Sequence, residues 1–307
     1  MHRLLKNRDF ILILGLFLGI MAGGAAQWTK HLVLPALGLV MSLSTMTISG
    51  AHFRSLPKLA GAGLWGVGLS YLLLSSLLLG ISRLFTHDQS LWQGFVLVAA
   101  VPPAVAVIPF TDFLEGDKAF SLMATLGAYL AALLIMPFIA ALHWESDFIS
   151  LADIMKILLL LIILPVIVGQ TLRATGLDRR LEPVKGTITN WSFFTVTYSI
   201  VGLNSRFIMA DPWALVPVAA SALATIFGLG LCIELIGRLL KVERKRLHSM
   251  VLLGTLKNYG LAGGLALALF DQRSALPSVV ATTFMIIYII WLGFLKRYFH
   301  SDRANAS

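Results

Sequence analysis

"LLGTLKNYGLAGG" (residues 252–264) lies inside an apolar run, yet it carries a lysine, an asparagine and four glycines. Glycine in a helix costs roughly 1 kcal/mol relative to alanine. A charged side chain in lipid must face protein or a water-filled cavity. The stretch therefore reads as a break in a membrane helix, with a positive charge set at the break.

The surrounding chain supports that reading. Its 307 residues are 58% hydrophobic and only 13% charged, with a mean hydropathy of +0.85. A helical span needs roughly 20 apolar residues, and such runs recur along the whole length. They are continuous rather than alternating, which excludes a barrel. The expected class is an all-α polytopic membrane protein, with spans at about 9–28, 32–50, 59–83, 91–114, 119–142, 151–172, 187–204, 213–240, 249–270 and 277–295.

The net charge of +9 does not indicate nucleic acid, because the basic residues lie in short loops between apolar runs. With a cytoplasmic N-terminus, eighteen Lys and Arg fall inside and five outside: Lys30, Arg83, Lys156, Arg206 and Arg273. That bias sets the orientation and places both termini in the cytoplasm, in a bacterial inner membrane. The N-terminal "MHRLLKNRDFILILGLFLGIMAGGAAQ" has the basic start, apolar middle and small residues of a secretory leader. The loop charges stay consistent only if it remains as the first span. The one cysteine, Cys232, rules out an internal disulfide and makes a Cys-based metal cluster implausible.

Ten spans divide into five and five near residue 145. Residues 1–145 are then a first five-helix repeat and 146–307 a second. A five-span unit repeated in tandem must insert its second copy upside down, and inverted repeats with broken helices characterise secondary transporters. The corresponding spans 4 and 9 are both interrupted. Span 4, "LWQGFVLVAAVPPAVAVIPFTDF" (91–113), holds Pro102 and Pro103 halfway along and Pro109 further on. Each proline inside a helix removes a hydrogen bond and costs ~3 kcal/mol. Span 9 carries Gly254, Gly260, Gly263 and Gly264 at the matching depth. Taken singly, each could be a kink or a packing site. Together they predict a crossing of two broken helices.

At these residues the chain resembles the bile acid:sodium symporter family, within the wider bile/arsenite/riboflavin transporter superfamily. "PPAVAVIPFTDFLEGD" (102–117) stands where that family has its span 4 motif, and "EGDKAFSLMAT" (115–125) is similar to its start of span 5. "LGTLKNYGLA" (253–262) matches its span 9 motif at Asn258, Gly260, Leu261 and Ala262, and "ALPSVVATTFMIIYIIW" (275–291) fits its last span. The resemblance implies a core domain of helices 3–5 and 8–10 rocking against a panel domain of helices 1, 2, 6 and 7.

The departures carry a second expectation. The family's sodium-binding polar positions in span 4 fall on Val107 and Ile108, and its Glu and Gln in span 9 fall on Leu253 and Lys257. Hard cations need several oxygen ligands, and these side chains supply none. The resemblance therefore implies that the sodium sites are absent, and no cofactor or metal is expected. The ammonium of Lys257 would stand in for the sodium charge, with Asn258 and Thr255 beside it, and a proton on it could couple transport. The structural alternative pairs Lys257 with Glu234 or Asp112.

Thr111, Thr125, Asn190 and Thr195 are further candidates for a substrate cavity, against the ordinary role of such residues in bonding their own helix backbone. "RLLKVERKRLH" (238–248) and "DRRLEPVK" (178–185) read as basic inner loops explained by orientation and headgroup attraction. No HExxH, GxSxG or P-loop pattern points to an enzyme, and the span 4 cysteine of arsenite exporters is missing. The expected function is secondary transport of a small organic anion across a lipid bilayer. The alternative is a non-transporting receptor or scaffold that retains the fold. Substrate identity, direction of transport and oligomeric state are not legible in the residues.

Overall fold

The computed structural model describes residues 7–46, 56–143, 159–210 and 212–304, together with 152 and 156. Among these residues the chain is built of helices, with no strand. Helix α1 (Arg8–Met21) starts where the Asn7 side chain accepts a hydrogen bond from the Phe10 amide. It ends seven residues short of the expected boundary of 28. The chain then bends by 89° and passes through three short turns to α2 (Val33–Thr45). The bend needs Gly23, because a Cβ there would lie 2.5 Å from the carbonyl oxygen of Gly202.

Helix α3 joins Leu56–Val67, a π-helical stretch Gly68–Ser75, and Ser76–Phe85. Next come α4 (Gln89–Ala100), α5 (Val107–Phe113) and α6 (Lys118–His143). A π turn (Leu159–Ile163) leads into α7 (Leu164–Ala174), and α8 spans Leu177–Ala210. Helix α9 runs from Val216 to Leu239 through a π turn at Ala224–Gly228. The chain closes with α10 (Arg244–Thr255), α11 (Tyr259–Leu269) and α12 (Leu276–Ala304).

Four described runs are long and apolar enough to cross a membrane alone: Ala60–Phe85, Lys118–His143, Val216–Leu239 and Arg273–Lys296. The bent pair of α1 and α2 makes a fifth. The remaining expected spans differ for identifiable reasons. Residues 91–114 are divided into α4 and α5, and residues 249–270 into α10 and α11. The start of 151–172, the end of 32–50, the division near residue 145, and Arg3, Lys6 and Arg54 lie outside the described residues. "DRRLEPVK" is not a loop. It forms the first turns of the 34-residue α8, which extends past its apolar segment. "RLLKVERKRLH" is likewise mostly helical, broken by a tight turn in which Lys241 takes a φ of 54°.

The helices contact one another in two groups. Helix α1 lies along α8, and α2 packs on α7 and α8. In the other group α3 packs on α6 and α10, α4 on α11 and α12, and α9 on α10 and α12. Lipid is as apolar as leucine, so close packing rather than expulsion from water holds such helices together. The α3–α6 contact shows it: a Cβ on Gly127 would lie 2.4 Å from the Cα of Gly63. The most completely buried segments, Val96–Val101 and Val251–Leu256, meet where α4 and α10 end.

Candidate functional site

Helix α4 ends because of two prolines. Residues before a proline are pushed out of the helical region, and Val101 accordingly takes an extended conformation (φ −65°, ψ 152°). A helix interior would bond the amide of residue 103 to the carbonyl of residue 99. Pro103 has no amide hydrogen, so the Ala99 carbonyl needs another donor. The chain stays non-helical until α5 begins at Val107. Pro109 is not part of the break. It occupies the first turn of α5, where a missing amide hydrogen costs little.

The second break falls at Leu256–Asn258, between α10 and α11. The glycines do not mark it. Gly254 lies within α10 with its missing Cβ against Ile233, and Gly260 lies within α11 against Val196 and Leu37. They are close-packing positions. Asn258 restarts the chain as a helix cap, its Oδ1 accepting from the Leu261 amide at 3.1 Å. Its Nδ2 donates to the Tyr129 hydroxyl at 3.1 Å. Thr255 ends α10 and donates to the Val251 carbonyl.

The two breaks pair with each other. Pro103 and Lys257 form an antiparallel bridge. The Ala104 amide donates to Leu256 at 3.1 Å, and the Asn258 amide donates to Pro102 at 2.9 Å. This short ladder satisfies backbone groups that have no water partner in a membrane. From its centre the fully buried Lys257 side chain reaches the end of α4. Its Nζ donates to the Ala99 carbonyl at 3.0 Å and to the Val101 carbonyl at 2.8 Å. It also lies 4.0 Å from the centre of the Tyr71 ring. Ser75 gives the Ala99 carbonyl a second donor at 2.7 Å. A helix C-terminus carries about half a negative charge, so the ammonium sits where the fold concentrates unbonded carbonyls. A hydrogen bond to a charged group contributes about 1.5–3 kcal/mol, and one between neutral groups about 0.5–1.5 kcal/mol.

Neither carboxylate offered as a partner meets Lys257. Glu234 pairs with Arg238 at 2.7 Å, one helical turn away, and Asp112 pairs with Lys118 at 2.5 Å. Among the described residues no carboxylate lies within 4.0 Å of the Lys257 ammonium. The Ala99 carbonyl, freed by Pro103, and the Val101 carbonyl, just past the end of the helix, take that place.

A cavity of about 60 Å³ adjoins the crossing, between the two helix groups. Lys257, Asn258 and Gly260 line it from one side, and Asn190, Thr197 and Leu37 from the other. Pro109 also reaches it. Thr195 does not, and donates to the Trp191 carbonyl of its own helix. Thr111 is buried against Ser121, and Thr125 is buried away from the cavity. Three contributors were not singled out from the sequence. Tyr71 and Ser75 belong to the π-helical stretch of α3, whose Ser70, Tyr71 and Ser75 are an unusual polar set inside an apolar run. Arg8 lines the cavity beside the Phe110 and Phe113 rings, its guanidinium 4.9 and 4.4 Å from their centres. Among the described residues no three His, Cys, Asp or Glu gather as a metal site.

Two interrupted apolar helices that meet inside the bundle, beside a cavity dividing two helix groups, make the arrangement of a membrane transporter. A model of the SBF-like CPA transporter family matches residues 16–299, and the chain belongs to that family. It is an integral, multi-pass membrane protein of the bile acid:sodium symporter-like kind expected from the motifs at 102–125 and 253–262. No curated protein matches the chain.

Proposed function

We propose that the protein is a secondary transporter of a small organic anion, in which the Lys257 ammonium replaces the coupling sodium. The observation that carries this reading is the pair of bonds from Lys257 to the Ala99 and Val101 carbonyls at the paired breaks. A cation held by carbonyls of a broken helix is what a sodium site would supply. Here the cation is covalently part of the chain, and no side-chain oxygen comes from Val107, Ile108 or Leu253. A proton gradient would act through the same ammonium.

On this reading α1, α2, α7 and α8 form a panel that rocks against the other helices, and the chain holds ten spans in two inverted repeats. The cavity supports movement by its size. Pockets that enclose organic ligands measure roughly 300–1,000 Å³, so a substrate enters only when the groups separate. Arg8 and the Asn190–Thr197 face give the opened cavity a cationic and polar wall. The basic residues at Arg8, Arg238 and Arg244–Arg246 support the reading in which the end of the bundle that carries them faces the cytoplasm of a bacterial inner membrane.

The test is a thermal-shift screen of organic anions on purified protein, followed by uptake of a stabilising anion into proteoliposomes. Uptake should proceed without sodium, respond to a pH gradient, and vanish in Lys257→Met. Uptake that requires a sodium gradient would overturn the replacement. A protein that binds an anion but never moves it would favour the receptor reading.

A further inference from the structure

A second, larger cavity of about 490 Å³ lies at the end of the bundle that carries Arg238 and Lys296, between α9, α10 and α12. Its lining changes character in one direction along all three helices. On α9 it passes from Leu231 to Arg238, on α10 from Val251 to Arg244, and on α12 from Tyr288 to Lys296. The hairpin between α9 and α10 and the opposite sense of α10 and α12 bring the three charged ends together. The cavity is therefore apolar within the bundle and basic at its mouth.

The mouth has a surplus of positive charge. Arg238, Arg244, Lys245 and Lys296 line it with only Glu115 and Glu234. The two carboxylates are engaged, Glu234 by Arg238 at 2.7 Å and Glu115 by Lys296 at 2.7 Å. Arg244 and Lys245 are exposed and meet no carboxylate within 4.0 Å among the described residues. The apolar part is open on its outer side, where Leu231 and Leu235 are each about half exposed (55% and 51%) and Trp291 is 41% exposed. In a membrane protein that side faces hydrocarbon.

We infer that this groove is a binding site for one acidic phospholipid. The phosphate is held by Arg244 and Lys245, and an acyl chain lies along Leu231, Leu235 and Leu292. A soluble anion would have no use for the apolar wall, and a zwitterionic lipid would gain nothing from the surplus charge. General attraction of a basic segment to a lipid surface does not account for the groove, which fixes one headgroup between three helices. The site is separate from the crossing cavity and does not depend on which substrate is transported.

The test uses full-length protein in phosphatidylcholine nanodiscs containing a fraction of chain-brominated lipid, which quenches nearby tryptophan. The signal of Trp291 is isolated by subtracting that of Trp291→Phe. Brominated phosphatidylglycerol should quench Trp291 at a roughly 25-fold lower mole fraction than brominated phosphatidylcholine, since each of the two cations contributes about fivefold. Arg244→Gln with Lys245→Gln should bring the two lipids to near parity. Native mass spectrometry of the wild-type protein reads the same site without the tryptophan variant, as one retained phosphatidylglycerol that the double variant loses. Equal quenching by both lipids, or an acidic preference unchanged in the double variant, would overturn the site. Millimolar inorganic phosphate that removes the preference would also overturn it, by showing a simple anion site.

Discussion

Pro103 and Lys257 face each other across an antiparallel bridge, and each supplies what the other lacks. Pro103 withholds the amide that would close the last turn of α4. Lys257 returns a donor to the same turn, with its Nζ 3.0 Å from the Ala99 carbonyl. The proline creates the acceptor and the lysine fills it, so the break and the buried charge are one feature. This is how a lysine Nζ without a carboxylate partner is satisfied in an apolar interior.

Lys257→Met separates structural from functional use of the charge. Methionine keeps most of the volume and removes the donors. The Ala99 carbonyl retains Ser75, while the Val101 carbonyl loses the Lys257 bond. One buried acceptor without its donor costs about 1–3 kcal/mol, offset in part by the end of ammonium burial. The variant should fold, with a modestly lower melting temperature in detergent, and should show no uptake. Full uptake by a stable variant would remove Lys257 from the mechanism.

The link between Asn258 and Tyr129 should behave as a coupled pair. Asn258→Ala removes both the cap of α11 and the 3.1 Å bond to the Tyr129 hydroxyl. Loss of a cap alone costs about 1 kcal/mol, and loss of the bond adds a similar amount. Tyr129→Phe removes only the bond. In a double-mutant cycle on unfolding, the two changes should fall short of additivity by about 0.5–1.5 kcal/mol. Strict additivity would mean that the hydrogen bond contributes nothing.

His248 lies outside the apolar stretch, half-buried at the start of α10, with its Nδ1 3.1 Å from the Leu114 carbonyl. A carbonyl only accepts, so Nδ1 carries a hydrogen. Burial lowers the pKa of this ring below the usual 6.5, against the opposing effects of the Leu114 carbonyl and Glu234. The unfolded chain therefore binds a proton that the folded chain refuses. Stability from this group is complete above the unfolded pKa and is lost as pH falls toward the folded one. The melting temperature should drop as pH is lowered from neutrality through 6. His248→Gln, which can still donate to Leu114, should flatten that part of the profile. An unchanged profile in the variant would assign the drop to other groups.

The two breaks were only partly legible in the sequence. Pro102 and Pro103 announced the first directly, because proline acts through its own ring and missing hydrogen. The second was placed by glycines that turned out to be packing residues, while the chain breaks at Leu256–Asn258. Lysine at position 257 stood out as a charge in an apolar run. Its partners did not, because the Ala99 and Val101 carbonyls are backbone atoms and leave no mark in residue type. The sequence pointed to Glu234 and Asp112, which have nearer cations in Arg238 and Lys118. The full length of helix α8 is hidden in the sequence for a related reason. Its first turns, from Leu177, project beyond the apolar segment, and polar helix that leaves a bundle looks like loop. Just past the early end of α1, Gly23 packs against Gly202, a contact between distant segments that no local pattern announces.

Sodium should not stabilise this protein. A ligand that binds only the folded state raises its stability by RT ln(1 + [L]/Kd), so a sodium site filled a hundredfold above its Kd would add about 2.7 kcal/mol. The positions where the family's sodium ligands fall supply few side-chain oxygens here. Val107 and Leu253 are fully buried at the positions expected to hold ligands. The Ala99 and Val101 carbonyls already accept hydrogen bonds from Lys257. A sodium ion near them would also meet the ammonium's charge in a medium that screens poorly. Melting temperatures in sodium, potassium and choline chloride at equal ionic strength should therefore coincide. The informative comparison adds Lys257→Gln, which withdraws the charge and offers a side-chain oxygen in its place. If the ammonium occupies a former cation site, this variant should gain a sodium-specific rise in melting temperature that the wild-type protein lacks. A sodium-specific rise in the wild-type protein would show that the cation and Lys257 bind side by side, and the replacement would be wrong.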